Sequence, residues 1–302
     1  MGLTNISGPL VVASSDQDVG PSVAYGGAFM LLDPRVGYQA GGAAGSPPVV
    51  GWGSVEYMTV KQAPSTAATN NIVNAQTGTA NTGLTLVSAS GAGITVGVSV
   101  AGKTVLAIDG AQVPIGYGRP AAVASYDPRL MIARALRYVS GTAGDTTQTL
   151  TTRGFDVYNQ PMSEVITLNG TTPVSGKKAF KYILSITPSA NTGAISVGTL
   201  DIFGLPLLAA GTSVAIAFPP ITIYWAGVNI TAVVGFTIAD ATSPATGTTG
   251  DVRGTYAVQS ASDGTKELYI SQYVMPWNIG PTAGLPPATA YQGLFGVPQF
   301  TN

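Results

Sequence analysis

Short runs of β-branched and aliphatic residues, separated by Gly, Pro, Asn, Asp and Thr, recur along most of the chain. In several runs apolar and small polar residues alternate with a period of two, as in "ITVGVSV" from Ile94. This period is typical of half-buried antiparallel strands, whereas patterns with a helical period are rare. Many short strands with turn residues between them predict an all-β protein with an antiparallel β-sandwich or jelly-roll-like body.

The pattern divides the chain into four regions. Residues 1–56 are rich in Gly and Pro but contain large apolar groups, which predicts an extended N-terminal arm or, equally well, a loop-rich edge of the body. Residues 57–120 alternate sharply between apolar and polar positions and predict a second, small β subdomain. We expect residues 121–275 to form the β-sandwich domain and residues 276–302 to form a Pro- and Gly-rich C-terminal tail.

Glycine dipeptides predict where several strands turn. The uncharged stretch 221–239 is nearly long enough for a membrane helix, but its Ile, Val and Thr content favours two strands around Ala226-Gly227. "AGK" around Gly102 predicts the corner of another hairpin. Asp263-Gly264 predicts a hairpin between "RGTYAVQS" and "KELYISQYV".

One strand-and-corner unit occurs twice, as "GFDVYNQPM" and "TLDIFGLPL". In each copy we expect an outward acid, Asp156 or Asp201, followed by a buried aromatic residue and a corner. Asn159 or Gly204 would permit a positive φ at that corner. The unit is most simply a way to turn strands between two sheets. A Ca²⁺ site on the two acids is the sharper alternative, although Ca²⁺ requires six to eight oxygen ligands and neither corner has a second acid nearby.

Composition excludes several kinds of site. The chain contains no Cys and no His, so disulfides, thiolate or imidazole metal sites and histidine-dependent catalytic triads are excluded. Its 14 acidic residues are scattered singly, which disfavours the carboxylate pair of a glycosidase. Only 9% of residues are charged and the net charge is -1. Because a weakly charged surface tends to associate, we expect a subunit that buries surface in an assembly.

The basic residues predict no nucleic-acid site. Thirteen Lys and Arg residues are balanced by the acids, so little affinity would come from counterion release. "SGKK" at 175–178 lacks the phosphate-loop pattern, and we interpret its lysines as solvated hairpin residues. We therefore predict that the chain is not an enzyme and that it binds no cofactor, metal, nucleic acid or membrane. The arginines are expected to pair with the sparse acids or with a partner's acids; they include Arg129, Arg134, Arg137 and Arg153.

Four segments resemble virion structural proteins of tailed bacteriophages, especially capsid decoration (cement) proteins. The segments lie within residues 126–274 and are "TTRGFDVYNQPMSEVITLNG", "VSGKKAFKYILSIT", "ISVGTLDIFGLPLL" and "TTGDVRGTYAVQSASDGTKELYISQYV". The resemblance implies a β-sandwich subunit, often a homotrimer, that is made in the host cytoplasm and clamps neighbouring major capsid proteins on the capsid surface of the virion. A tail, fibre or receptor-binding subunit fits most of the same observations, and a carbohydrate-active enzyme fits only the β architecture.

Seven aromatic residues lie in the Gly- and Pro-rich ends of the chain without an obvious core partner in the sequence. Because buried aromatic anchors usually dominate an interface, we expect these residues to contact a partner. For the two tryptophans the alternative is an ordinary core position. The predicted interface residues are Phe29, Tyr38, Trp52, Trp277, Tyr291, Phe295 and Phe300.

Overall fold

The computed structural model describes residues 38–39, 49–50, 57–87, 93–100, 102–111, 131–209, 221–230, 235–273 and 296–299. Across these ranges the chain is all-β, without a helix, and its antiparallel sheets are consistent with a sandwich body. The predicted fold class is therefore confirmed, while the jelly-roll order and the N-terminal arm stay predictions. No helix in these ranges is long and apolar enough to span a membrane.

The strands are short, as expected from the spacing of turn residues. In chain order they are β1 (Tyr38–Gln39), β2 (Val49–Val50), β3 (Tyr57–Gln62), β4 (Val73–Thr77), β5 (Ile94–Val100), β6 (Lys103–Ile108), β7 (Arg134–Ser140), β8 (Thr149–Phe155), β9 (Pro161–Thr167), β10 (Val174–Ser175), β11 (Tyr182–Pro188), β12 (Ala194–Gly204), β13 (Ile221–Trp225), β14 (Val228–Ile230), β15 (Phe236–Thr237), β16 (Thr255–Ala257) and β17 (Leu268–Tyr273).

Three larger sheets and one two-stranded pair contain these strands. A five-stranded sheet has the order β5-β6-β11-β8-β9, and a four-stranded sheet has the order β14-β13-β17-β3. The third sheet, here called the curled sheet, runs β10-β7-β12-β16-β15 and also pairs β4 with β12. The segment 57–111 contributes to all three sheets, because β3 pairs with β17, β4 with β12 and β6 with β11. The predicted domain bounds stay a prediction.

Two large hydrophobic clusters hold the sheets together, and the curled sheet contributes to both. In one cluster Phe203 of the curled sheet packs with Trp225 and Ile270 of the four-stranded sheet. In the other, Leu136 of the curled sheet packs with Ile183 of the five-stranded sheet. Burial of these apolar side chains is the main source of stability in a chain without disulfides.

Two of the predicted corners are confirmed and one is wrong. Ala226 and Gly227 have φ values of 50° and 80° and join β13 to β14, and Gly102, with φ 71°, joins β5 to β6. Asp263-Gly264 does not close a hairpin, because β16 belongs to the curled sheet and β17 to the four-stranded sheet. Gly264 instead donates its backbone N–H to the carbonyl of Pro64 at 2.9 Å.

Candidate functional site

A buried arginine is bound at the first copy of the repeated corner unit. Asp156 follows β8 and is fully buried, and its Oδ2 accepts a hydrogen bond from Arg253 Nη1 at 2.8 Å. Arg253 Nε donates to the carbonyl of Leu205 at 3.1 Å, and the guanidinium lies 5.3 Å from the ring centroid of Tyr158. A cation over an aromatic face gains electrostatic stabilisation that increases when water is excluded. The charge of Arg253 is therefore stabilised both by the Asp156 carboxylate and by the Tyr158 ring.

The second copy binds another buried arginine in the same way. Arg134 Nη2 donates to Asp201 Oδ1 at 2.8 Å, and its Nε donates to the carbonyl of Leu200 at 2.8 Å. Its guanidinium lies 5.1 Å from the ring centroid of Phe203. A further carboxylate, Asp109, accepts from Arg134 Nη1 at 3.2 Å. The repeat in the sequence thus produces two arginine–carboxylate–aromatic centres.

These centres correct part of the sequence interpretation. The expected outward position of the acids is wrong for Asp156, which is fully buried, while the Asp201 side chain is 22% exposed. Asn159 has the predicted positive φ, at 62°, but Gly204 does not have one. A Cβ added at Gly204 would lie 2.7 Å from Ala179 Cβ, so close packing explains glycine there. No group of three acidic side chains within the described ranges could hold a metal ion.

The interpretation of both "SGKK" lysines as solvated is wrong for Lys178. Lys177 is exposed, but Lys178 is buried and its Nζ donates to the carbonyl of Thr246 at 2.7 Å. Burial lowers the pKa of Lys178, and the carboxylates of Asp251 and Glu164 oppose the shift. Two residues further on, Phe180 pairs with Arg134 at the start of β7. The chain at Lys178 is therefore already entering the core and does not form a surface hairpin.

Glu164 lies in a buried polar cluster between two sheets. Its Oε1 accepts from the backbone N–H groups of Lys177 at 2.5 Å and Lys178 at 3.1 Å, and its Oε2 accepts from the Tyr138 hydroxyl at 3.1 Å. Burial raises the pKa of Glu164, although these hydrogen bonds oppose the shift. The sequence analysis missed this cluster, yet a signal was present, because Glu164 lies two residues from both Met162 and Ile166 and therefore shares their buried face of β9.

Much of the charge in the described ranges is inside the body. Because the whole chain has only 9% charged residues, this internal use leaves a surface with few charges. The buried ionisable side chains are Asp109, Asp145, Asp156, Glu164, Asp251, Arg134, Arg253, Lys178 and Lys181.

In each of the three larger sheets, one edge strand carries an exposed apolar side chain or is followed directly by one. Val96 on β5 is 44% exposed, Val228 on β14 is 63% exposed, and Ile238, directly after β15, is 44% exposed. These are the large hydrophobic side chains that are exposed within the described ranges. An edge strand presents backbone N–H and C=O groups that can pair with another chain. Each of the three larger sheets therefore has one exposed apolar side chain at one of its edges.

A cleft of about 720 Å³ lies beside one of these edges. Its lining includes Lys177, Ile202 of β12, and Ile238 and Asp240, which follow β15. Hydrogen bonds from Thr242 and from the backbone of Gly250 lower the pKa of Asp240. The cleft is thus a mainly apolar surface with one ammonium group and two carboxylate groups, since Asp251 also lines it.

The predicted interface residues fall outside this description. The backbone of Tyr38 belongs to β1, but its side chain is outside the described part. Trp225, the one tryptophan that was not predicted to contact a partner, is a core residue whose Nε1 donates to Ser260 Oγ at 2.9 Å. The six other predicted anchors lie outside the described residues: Phe29, Trp52, Trp277, Tyr291, Phe295 and Phe300.

Comparisons of the chain with protein-family models, with curated proteins and with solved structures find no match.

Proposed function

We propose that this chain is a non-enzymatic structural subunit of a bacteriophage virion that binds the capsid surface and bridges neighbouring major capsid proteins. The observation that carries the proposal is the presence of apolar side chains at the edges of three sheets, at Val96, Val228 and Ile238. One subunit with several separate contact sites can bind several neighbours at once. After the first contact forms, the others form at a high effective concentration, so individually modest contacts give firm binding.

The distribution of charge supports the same function. Charged groups are costly to remove from water, and many of those described here are already buried in internal ion pairs and hydrogen bonds. The remaining surface can therefore be covered by a partner with a small desolvation cost. A binding protein of this kind stabilises only the assembled state that it binds. We propose that the subunit also associates with itself as a homotrimer.

Copy number in purified virions tests this proposal. A decoration protein covers the capsid lattice and should be present in hundreds of copies for each virion, by quantitative mass spectrometry against the major capsid protein. A tail, fibre or receptor-binding subunit would instead be present in few copies at one vertex. A count of only a few copies for each virion would contradict the decoration function and favour the tail alternative.

The three edges can be tested one by one. We expect Val96→Asp, Val228→Asp and Ile238→Asp each to weaken binding of the purified protein to heads that lack it, and the triple variant to abolish binding. Thr222→Asp is the matched control, because Thr222 is an exposed polar residue on the inner strand β13. If the triple variant stays folded and binds as well as the unchanged protein, these edges are not the contact sites.

A further inference from the structure

The cleft beside β15 lies on the face of the curled sheet that points away from the core. Ile202 of β12 pairs with Ala257 of β16, and both residues line the cleft. Their neighbours Phe203 and Tyr256, which also pair, are fully buried in a hydrophobic cluster with the four-stranded sheet. Because successive side chains of a strand point to opposite faces, the floor of the cleft is the outward face of the sheet.

Both edge strands of the curled sheet contribute to this cleft. β10 and β15 are the terminal strands of the sheet, yet Ser175 of β10 and Thr237 of β15 line the same cleft. The exposed Lys177 follows β10, and Asp240 follows β15. The Asp240 carboxylate is fixed by the backbone N–H of Gly250, which donates to its Oδ2 at 2.7 Å. The cleft therefore combines an apolar floor with a charged group near each edge of the sheet.

The turn between β13 and β14 is an exposed surface without charge. Ala226 and Gly227 form the turn, and residues 226–229, here called the hairpin tip, are all exposed. Val228, at 63%, is the most exposed of the large hydrophobic side chains within the described ranges. The whole hairpin, residues 221–230, contains no acidic or basic residue. The hairpin tip can therefore enter a cleft without taking a charge of its own out of water.

We propose that the hairpin tip of one copy of the chain docks in the cleft of the next copy. This inference rests on the self-association within the proposed function, and it assigns the edges at β14 and β15 to contacts between copies. Val228 stays exposed in the single chain, so the tip does not fill the cleft of its own copy. Because tip and cleft are different surfaces, the contact is head-to-tail, and in the proposed homotrimer it closes into a ring of three copies. Loss of this contact also weakens binding to heads, because a single copy has fewer contacts.

The chemistry of the two surfaces is complementary. Docking would bury Val228 against Ile202 and Ile238, which removes apolar surface of both copies from water. Gly227 is exposed, and its backbone N–H and C=O are the partners that a carboxylate and an ammonium group require. The corner between β5 and β6 fits less well, because it carries the exposed Lys103, whose charge would have to leave water to reach the apolar floor.

Sedimentation equilibrium of the full chain tests this contact without any capsid. We expect the unchanged protein to sediment as a trimer. Val228→Asp places a charge on the hairpin tip and Ile238→Asp places one in the cleft, so each variant should sediment as a monomer of 30.5 kDa. Both side chains are exposed, so both variants should fold and keep the circular dichroism spectrum of the unchanged protein. Lys103→Asp, on the hairpin of β5 and β6, is the control and should leave the trimer intact.

A mixture of the two variants tests the head-to-tail arrangement. The cleft of Val228→Asp and the tip of Ile238→Asp are intact, so the concentrated mixture should form dimers through this one contact but no closed ring. Assembly of either variant alone overturns the inference, and so does a mixture that stays monomeric, a monomeric unchanged protein or loss of the trimer in Lys103→Asp. A trimer that does not bind heads contradicts the capsid function alone, whereas a monomer that binds heads contradicts only the contact between copies.

Discussion

Arg134 and Arg253 carry full charges into the core, and their partners must offset the cost of removing those charges from water. Each guanidinium has a carboxylate partner at 2.8 Å, a backbone carbonyl and an aromatic face. A buried pair of this kind adds little net stability compared with apolar packing, but removing one partner leaves an uncompensated charge. We therefore expect each pair to add little net stability while it is intact and to be costly to break.

Replacing Arg253 with methionine should be strongly destabilising. Arg253→Met leaves Asp156 buried without its cation, and we expect the free energy of unfolding to fall by about 3–5 kcal/mol. Urea denaturation at neutral pH measures the change. Arg153→Met is the control: Arg153 is exposed, so the variant should stay within about 0.5 kcal/mol of the unchanged protein. Equal losses in the two variants would show that the buried centre has no special role.

The free energy of unfolding of the Glu164→Gln variant should increase, relative to that of the unchanged protein, as the pH rises. The folded-state pKa of Glu164 is raised above its ordinary value of 4.5, so the folded state binds the proton more tightly than the unfolded state. The free energy of unfolding of the unchanged protein therefore falls as the pH rises from that value through the folded-state pKa. Glutamine can keep the hydrogen bonds to the backbone and to Tyr138 without carrying a charge.

Urea denaturation of both proteins between pH 4 and pH 8 measures this difference. Glu267→Gln is the control, because Glu267 is exposed and forms a surface ion pair with Lys61. The interpretation fails if the stability difference between Glu164→Gln and the unchanged protein does not vary with pH, or varies in the opposite direction.

At the level of strands and turns, the sequence predicts most of what depends on neighbouring residues. Alternation located the strand around Ile94, and Ala226-Gly227 located a corner, because side-chain period and turn conformation are local properties. Pairing depends on residues far apart, so the Asp263-Gly264 turn could not reveal that its flanking strands enter different sheets. The burial of Lys178 was missed for the same reason.

Gly198 in β12 tests one such long-range contact. A Cβ at this position would overlap the backbone carbonyl oxygen of Ala68, which lies against β12 there. Backbone cannot move aside as a flexible side chain can, so Gly198→Ala should lower the free energy of unfolding by about 1–3 kcal/mol. Gly144→Ala, where an added Cβ meets nothing within 4 Å, should not destabilise the protein. Equal unfolding midpoints in urea for the two variants would contradict this contact.

For the whole molecule, stability rests on burial and on internal polar contacts rather than on cross-links. The chain has no cysteine, so a reducing agent should not change the melting temperature. We also expect no change with EDTA, measured by differential scanning calorimetry. A clear decrease with EDTA would contradict this expectation and direct attention to the acids near the corners and turns, which are Asp156, Asp201, Asp240, Asp251 and Asp263.

The three tryptophans separate the stability of the body from the proposed binding to the capsid. Trp225 is buried in the core, so Trp225→Ala should lower the free energy of unfolding of the isolated protein by about 3–5 kcal/mol. We expect Trp52→Ala and Trp277→Ala to leave the isolated protein folded, because both residues are predicted to contact a partner. Loss of a buried aromatic anchor from an interface typically costs about 2 kcal/mol or more.

Virions assembled with Trp52→Ala or Trp277→Ala should therefore release their DNA at a lower temperature than unchanged virions, measured by dye binding to the released DNA. Trp225→Ala provides the comparison, since its effect must already be present in the isolated protein. Unfolding of the other two variants in isolation would place both residues in the core. If they stay folded and their virions are as heat-resistant as unchanged virions, stabilisation of the capsid through these residues is contradicted, because a subunit that binds the assembled head must stabilise it in proportion to its affinity.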